Sequence, residues 1–226
     1  WRGTPEAGGA LHDPCCGSGT IAIEAAQIAC GIAPGLQRRF VFERLLPFGG
    51  PDERALWQTL KAEAKARIHA SAVPIHASDV SFRMVDFARR NAQRAGVEAA
   101  ITFNGGDALE RPAPTLPEGL PGTLMLNPPY GERIEVGGKA ARPSAQDRDT
   151  PSDFFARLAS HWKQAYTRHA AGWTAWVLSP DMKLPGAMRL KESRRIPMWN
   201  GPIECRLYRF DLVAGSARAP RAERQP

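Results

Sequence analysis

Apolar positions along the chain follow two alternating rhythms. Short apolar runs of strand length give way to stretches where apolar residues recur three and four apart, as on one face of a helix. "GALHDPCCGSGTIAIEAAQIACG" (9–31) reads as a strand, a glycine turn and a helix. Ile21, Ala22, Ala25, Ala26, Ile28 and Ala29 form its apolar face, and Gly31 and Pro34 stop it. A loop then leads to a helix from Asp52 to about Ala72. "VPIHASD" (73–79) is the second strand. Residues 80–97 form a helix that turns Met84, Val85, Phe87, Ala88 and Ala92 inward and ends on Gly96. Strands follow at 99–109, ending near Asp107, and at 122–131. A helix covers 152–170, with Ser152 as N-cap, and a fifth strand covers 172–181. Residues 194–213 read as a hairpin turning at Asn200-Gly201.

The pattern predicts an α/β fold. A mostly parallel sheet is covered on both faces, with an antiparallel hairpin at one edge. Residues 1–213 are expected to form one catalytic domain. The polar, Gly- and Pro-rich stretch 135–151 reads as a mobile loop, and the basic segment 214–226 as a disordered tail.

Charge changes the picture next. Lys and Arg number 30 against 23 Asp and Glu, a net +7, which suits a polyanionic partner such as RNA or DNA; a solvated surface is the plainer alternative. Cys15, Cys16, Cys30 and Cys205 contain no C-x-x-C pair. A reduced, cytoplasmic protein without a metal site is the simplest reading. No apolar run approaches the ~20 residues of a membrane span, so no membrane partner is expected.

Candidate chemistry gathers at the strand ends. "DPCCGSGT" (13–20) lies beyond the first strand, where such sheets bind ligands. Gly17 and Gly19 allow a close approach to the backbone, and the helix behind them offers free N–H groups. Gly17-x-Gly19-x-x-Ala22 also fits a dinucleotide pattern. However, Asp13 would repel a pyrophosphate, and the next strand-end acid, Asp79, lies far beyond the ~20 residues of that fingerprint. S-adenosyl-L-methionine fits better, because it carries an ammonium, a carboxylate and a sulfonium but no phosphate. Asp13 would hold its amino-acid end. Cys15 and the Gly17, Ser18, Gly19, Thr20 backbone would line the groove. Asp79 would accept from the ribose, with Val80 against the adenine, and Asp107, next to Ala108, from the adenine amine. Any one aspartate could equally be a turn or helix cap; three at successive strand ends converge on a site.

"NPPY" (127–130) follows the fourth strand, beside that groove. A nucleobase amine is a poor nucleophile, since its lone pair is delocalised into the ring. The Asn127 side-chain oxygen and the Pro128 carbonyl would accept from its N–H groups and favour the pyramidal geometry that attack needs. The prolines fix that carbonyl in place, and Tyr130 would stack on the base; a proline-rich turn is the alternative. Glu24 and Arg133 read equally as ligand contacts or as surface charges. Arg38-Arg39 and "RLKESRR" (189–195) are either phosphate contacts or a solvated face. His12 reads as buried strand structure. Trp162, Trp173, Trp176 and Trp199 read as core or interface anchors.

"DPCCGSGT", "ASD", "GGDAL" and "NPPYGER" resemble the motifs of amino-directed methyltransferases that use S-adenosyl-L-methionine. "IEAAQIACGIAPGLQRRFVFE", "NPPYGERI" and "NGPIECRLYRFDL" narrow the resemblance to the THUMP-containing 23S rRNA guanine-N2 methyltransferases (RlmL-type), across nearly all of 8–213. It implies a Rossmann-like class I methyltransferase domain acting on 23S rRNA or its precursor particle, with a THUMP RNA-binding domain preceding it. In place of the family's second acid after the ribose acid stands Ser81, and Cys15 stands where the family often has an apolar residue. Transfer to tRNA guanine N2 or to adenine N6 is the nearest rival, and a non-catalytic RNA-binding or assembly factor is a rival of another class. A nicotinamide dehydrogenase is a third.

Overall fold

The computed structural model describes residues 1–128 and 151–213. Among them, seven strands form one sheet in the order β3-β2-β1-β4-β5-β7-β6. β1 (Ala10–Asp13), β2 (Ile75–Asp79), β3 (Ile101–Gly105), β4 (Gly122–Leu126) and β5 (Trp173–Ser179) run parallel. β6 (Arg194–Asn200) and β7 (Ile203–Leu212) make the antiparallel edge hairpin, with β7 on β5. This is the α/β architecture expected from the alternating pattern.

Helices cover both faces. On one, α1 (Thr20–Ala29) and α3 (Phe82–Ala95) bury Ala22, Ala25, Ala26, Ala29, Val85, Ala88 and Ala92 against Leu11, Ile75, Ala77, Ile101 and Phe103. The small side chains let helix and sheet approach closely. On the other, α4 (Pro151–Ala165) and the short α5 (Leu184–Met188) pack Phe155, Leu158, Trp162, Leu184 and Met188 onto Leu124, Leu126, Val177, Tyr208 and Phe210. No helix among the described residues is long and apolar enough to cross a membrane.

Several boundaries and faces differ from the sequence expectation. Ile28 is 54% exposed and Ile21 only half-buried, because the alanine stripe alone faces the sheet. Met84 and Phe87 are half-buried. α2 (Pro51–Ala66) stops six residues short of Ala72 and buries only Ala64. α4 begins at Pro151, so Ser152 lies inside the helix. Strands expected at 99–109, 122–131 and 172–181 are shorter. Asp107 lies two residues past β3, and Asn127 directly follows β4. The hairpin turns on Gly201-Pro202, one residue later than expected, since Asn200 pairs with Ile203. Gly201 has φ +61, and the ring of Pro202 demands negative φ, a type II′ pattern. Trp162 and Trp173 are buried as expected, Trp176 is half-buried, and Trp199 is 67% exposed. Of the loop expected at 135–151, Pro151 belongs to α4 and residues 135–150 lie outside the described residues, as do the expected tail (214–226), Tyr130 and Arg133.

Candidate active site

β1 is the switch point of the sheet. The chain leaves it for β2 and β3 on one side and returns to β4 on the other. In open sheets of this kind the crevice beyond the strand carboxyl ends, at the switch point, receives the ligand. Asp13 ends β1 there and is 1% exposed. The glycine loop follows, with Gly17 at φ +52 and Gly19 at φ +90, both in the left-handed region. Added to Gly17, a Cβ would meet nothing within 4 Å; added to Gly19, it would lie 2.9 Å from the Ala88 Cβ. One glycine therefore opens the crevice, and the other lets α1 approach α3.

The loop is tied to the second strand and to α3. The Cys16 amide donates to the Ser78 carbonyl at 2.9 Å, and the Gly17 amide to Asp79 Oδ2 at 2.9 Å. Asn91 Nδ2 donates to the Ser18 carbonyl at 2.8 Å. Asp79 Oδ1 accepts from the Ser81 amide at 2.9 Å, so Ser81, which stands in place of the family's second acid, contributes its backbone. Asp107 Oδ1 accepts from the Leu109 amide at 2.9 Å, an Asx turn that fixes the carboxyl just past β3. Asp107 is half-buried and Ala108 buried; Cys15 is half-buried, while Ser18 and Thr20 are exposed. Val80 is 48% and Phe82 77% exposed, and a Cβ on Gly105 would strike the Phe82 ring at 2.3 Å, so one side of that ring rests against the end of β3. The aromatic Phe82 escaped the sequence reading. Its signal was an apolar residue opening a helix directly after a strand-end acid.

Burial makes Asp13 hard to ionise. It raises the carboxyl to about 8, with the Cys15 amide opposing at 3.2 Å and the charge of Asp79 adding to the rise. Burial, followed by Asp13 and Asp79, also holds the Cys15 thiol well above its usual range. A nearby cation relieves this arrangement, and a phosphate aggravates it.

β4 pairs with β1 through Leu124 opposite His12, so Asn127 leaves the neighbouring strand just beyond the level of Asp13. The Asn127 side chain is exposed and Pro128 is buried. Asp13, Asp79, Asp107, the glycine loop and Asn127 thus share one end of the sheet, while Glu24 lies exposed on α1. Beneath them runs a buried bridge. His12 Nδ1 meets the Tyr166 hydroxyl at 3.0 Å, and Nε2 meets Ser78 Oγ at 3.1 Å. In either tautomer one ring nitrogen donates and the other accepts, so all three side chains are satisfied. Burial, then His76 and Arg111, lowers His12 to about 3, and it stays neutral. His12 is strand structure, as expected from the sequence.

A mostly parallel sheet with an antiparallel edge hairpin, and a glycine loop at the switch point, define the Rossmann-like class I methyltransferase fold. Solved structures agree. SMU.472, assigned as a methyltransferase and complexed with SAH, superposes with a TM-score of 0.73 at 26% identity, over 95% of this chain and 50% of that one. A predicted N6-adenine-specific DNA methylase from Listeria monocytogenes gives 0.69 at 27% identity, over 92% of this chain and 47% of that one. The chain belongs to the UPF0020 family of RMKL-like methyltransferase domains, whose model matches residues 3–209. The ribosomal RNA large subunit methyltransferase K/L of Shewanella loihica is 38% identical over 96% of this chain. The match covers 28% of that protein, so the chain spans under a third of the length of such relatives.

Proposed function

We propose that the chain is an S-adenosyl-L-methionine-dependent RNA methyltransferase that acts on the N2 amine of a guanine in 23S rRNA. The observation that carries this reading is the convergence of Asp13, Asp79, Asp107 and Asn127 around the open glycine loop. The donor set fits the cofactor: carboxyls for its ammonium, ribose hydroxyls and adenine amine, and no phosphate cradle. Asp13 gains a cation beside a buried carboxyl, and Asp79 keeps acceptor capacity beyond its two amide bonds. The bound cofactor supplies an electrophilic methyl on a sulfonium.

The chain's own residues then handle the acceptor. The Asn127 Oδ1 and the Pro128 carbonyl accept from the two N–H groups of the amine. They hold its lone pair toward the groove and stabilise the positive charge that develops on nitrogen. Pro128 is buried, and its ring fixes the backbone φ at that position. The proton left on the nitrogen passes to water, so no side-chain base is required. Tyr130 is assigned the stacking contact on the extruded base.

The K/L relative, a ribosomal RNA large subunit methyltransferase, supports large-subunit rRNA as the substrate; the guanine N2 amine is the finer part of the proposal. The similarity to the Listeria DNA methylase favours a second reading, adenine N6 in DNA. One experiment separates them. The full-length protein is incubated with radiolabelled S-adenosyl-L-methionine and, separately, unmodified 23S rRNA, tRNA and DNA, and the labelled nucleoside is identified by mass. N2-methylguanosine from 23S rRNA alone is expected. N6-methyladenosine, or label in tRNA, would overturn the substrate assignment.

A further inference from the structure

The β6–β7 hairpin does not stop where its neighbours stop. Arg206 pairs with Ser179, the last residue of β5, yet β7 begins three residues earlier, at Ile203. β6 follows it through this extension, with Trp199 opposite Glu204 and Asn200 opposite Ile203. At about 3.3 Å per residue, the tip stands about 10 Å beyond the end of β5. This is the end of the sheet from which Asn127 emerges, because β4 runs parallel to β5 with Leu126 opposite Val177. β6 lies three strands from β4, roughly 14 Å at ~4.8 Å per strand. The hairpin is a raised wall along the side of the crevice that Asn127 occupies.

Apolar side chains stay exposed at the tip and beside it. Trp199 is 67% exposed and Ile203 42%, and Met182, just after β5, is 50% exposed. From 181 to 209 the sequence holds seven Lys and Arg against three Asp and Glu. Arg195 and Arg206 pair with Glu192 and Glu204; of the exposed cations, Lys183 follows the end of β5, while Lys191 and Arg194 lie toward the base of β6, away from the tip. An exposed indole at the tip of a hairpin whose length carries a surplus of cations suits a ligand with flat, stackable faces and an extended negative backbone. A protein partner would match the apolar atoms but leave the surplus charge uncompensated.

We infer that this hairpin is a docking surface for single-stranded RNA flanking the target nucleotide, with Trp199 stacking on a base. The position is too far from Asn127 for Trp199 to touch the reacting base, so it grips neighbouring nucleotides. The inference rests on the reading of the chain as an RNA methyltransferase and names a second point of contact for that substrate.

The test measures three quantities on the full-length protein: affinity for a short single-stranded RNA oligonucleotide, affinity for S-adenosylhomocysteine, and Tm. Trp199→Ala should weaken RNA binding about tenfold, the scale of losing one base–aromatic stack. Trp199→Phe should recover most of the loss. Neither variant should move the cofactor affinity or Tm, since the indole is mostly in solvent. RNA affinity unchanged in Trp199→Ala overturns the inference and leaves the methyltransferase reading intact. A loss accompanied by a fall in Tm or cofactor affinity also overturns it, because Trp199 then acts through the fold. A wild-type protein that binds and methylates no RNA overturns both.

Discussion

Asp13 concentrates the chemistry of the site at a single residue. Its carboxyl titrates near 8 without a ligand, because burial penalises the charge. An acid raised in the folded state binds its proton more tightly than in the unfolded chain. Its contribution to stability is therefore greatest at low pH and declines as pH rises toward 8. A cofactor ammonium reverses the balance by favouring the carboxylate. S-adenosylhomocysteine binding should release close to one proton near pH 6, release less near pH 8, and tighten across that window. Calorimetry in buffers of different ionisation heat reads the proton count; a flat count would show that Asp13 does not meet the ammonium. The His12 bridge makes a separate prediction. Tyr166→Phe strands one buried ring nitrogen and should cost about 1–3 kcal/mol of unfolding free energy, measured by urea titration.

At the scale of elements, the two loop glycines should fail differently. Gly17→Ala places its methyl in the open crevice at φ +52. The strain of about 1–2 kcal/mol is tolerable, but the methyl intrudes on the cofactor's approach, so affinity for S-adenosylhomocysteine should fall more than Tm. Gly19→Ala drives its methyl into Ala88 at 2.9 Å, where α1 meets α3, and should chiefly lower Tm. Paired melting curves and binding isotherms distinguish the two. The strand-end acids and glycine loop were legible in the sequence because each is local: a short apolar run, a turn residue, then a helix. Three features were not legible. The bridge joins His12 to Tyr166, 154 residues apart, which no local pattern encodes. Ile28 repeats at helical spacing yet points outward, because alanines alone fit the close approach to the sheet. The hairpin turn fell one residue late because Gly201 supplies the positive φ of the first turn position and the Pro202 ring suits the negative φ of the second.

Across the whole molecule, function is divided along the sheet. The β1-β2-β3 half carries the acids assigned to the cofactor. The β4-β5-β7-β6 half carries Asn127 and the raised hairpin assigned to RNA. With a net charge of +7, RNA affinity should fall linearly in log–log form as salt rises, whereas cofactor affinity, set by buried groups, should barely respond. Filter binding across a salt series checks this. The division also sets the most direct test. In Asn127→Ala, single-turnover methylation of 23S rRNA and affinity for S-adenosylhomocysteine are measured side by side. The account predicts turnover lowered by at least about a hundredfold, as for loss of one preorganised transition-state partner, with cofactor affinity within about twofold of wild type. Turnover at the wild-type rate, with the cofactor still bound, would contradict the role of Asn127 in holding the amine.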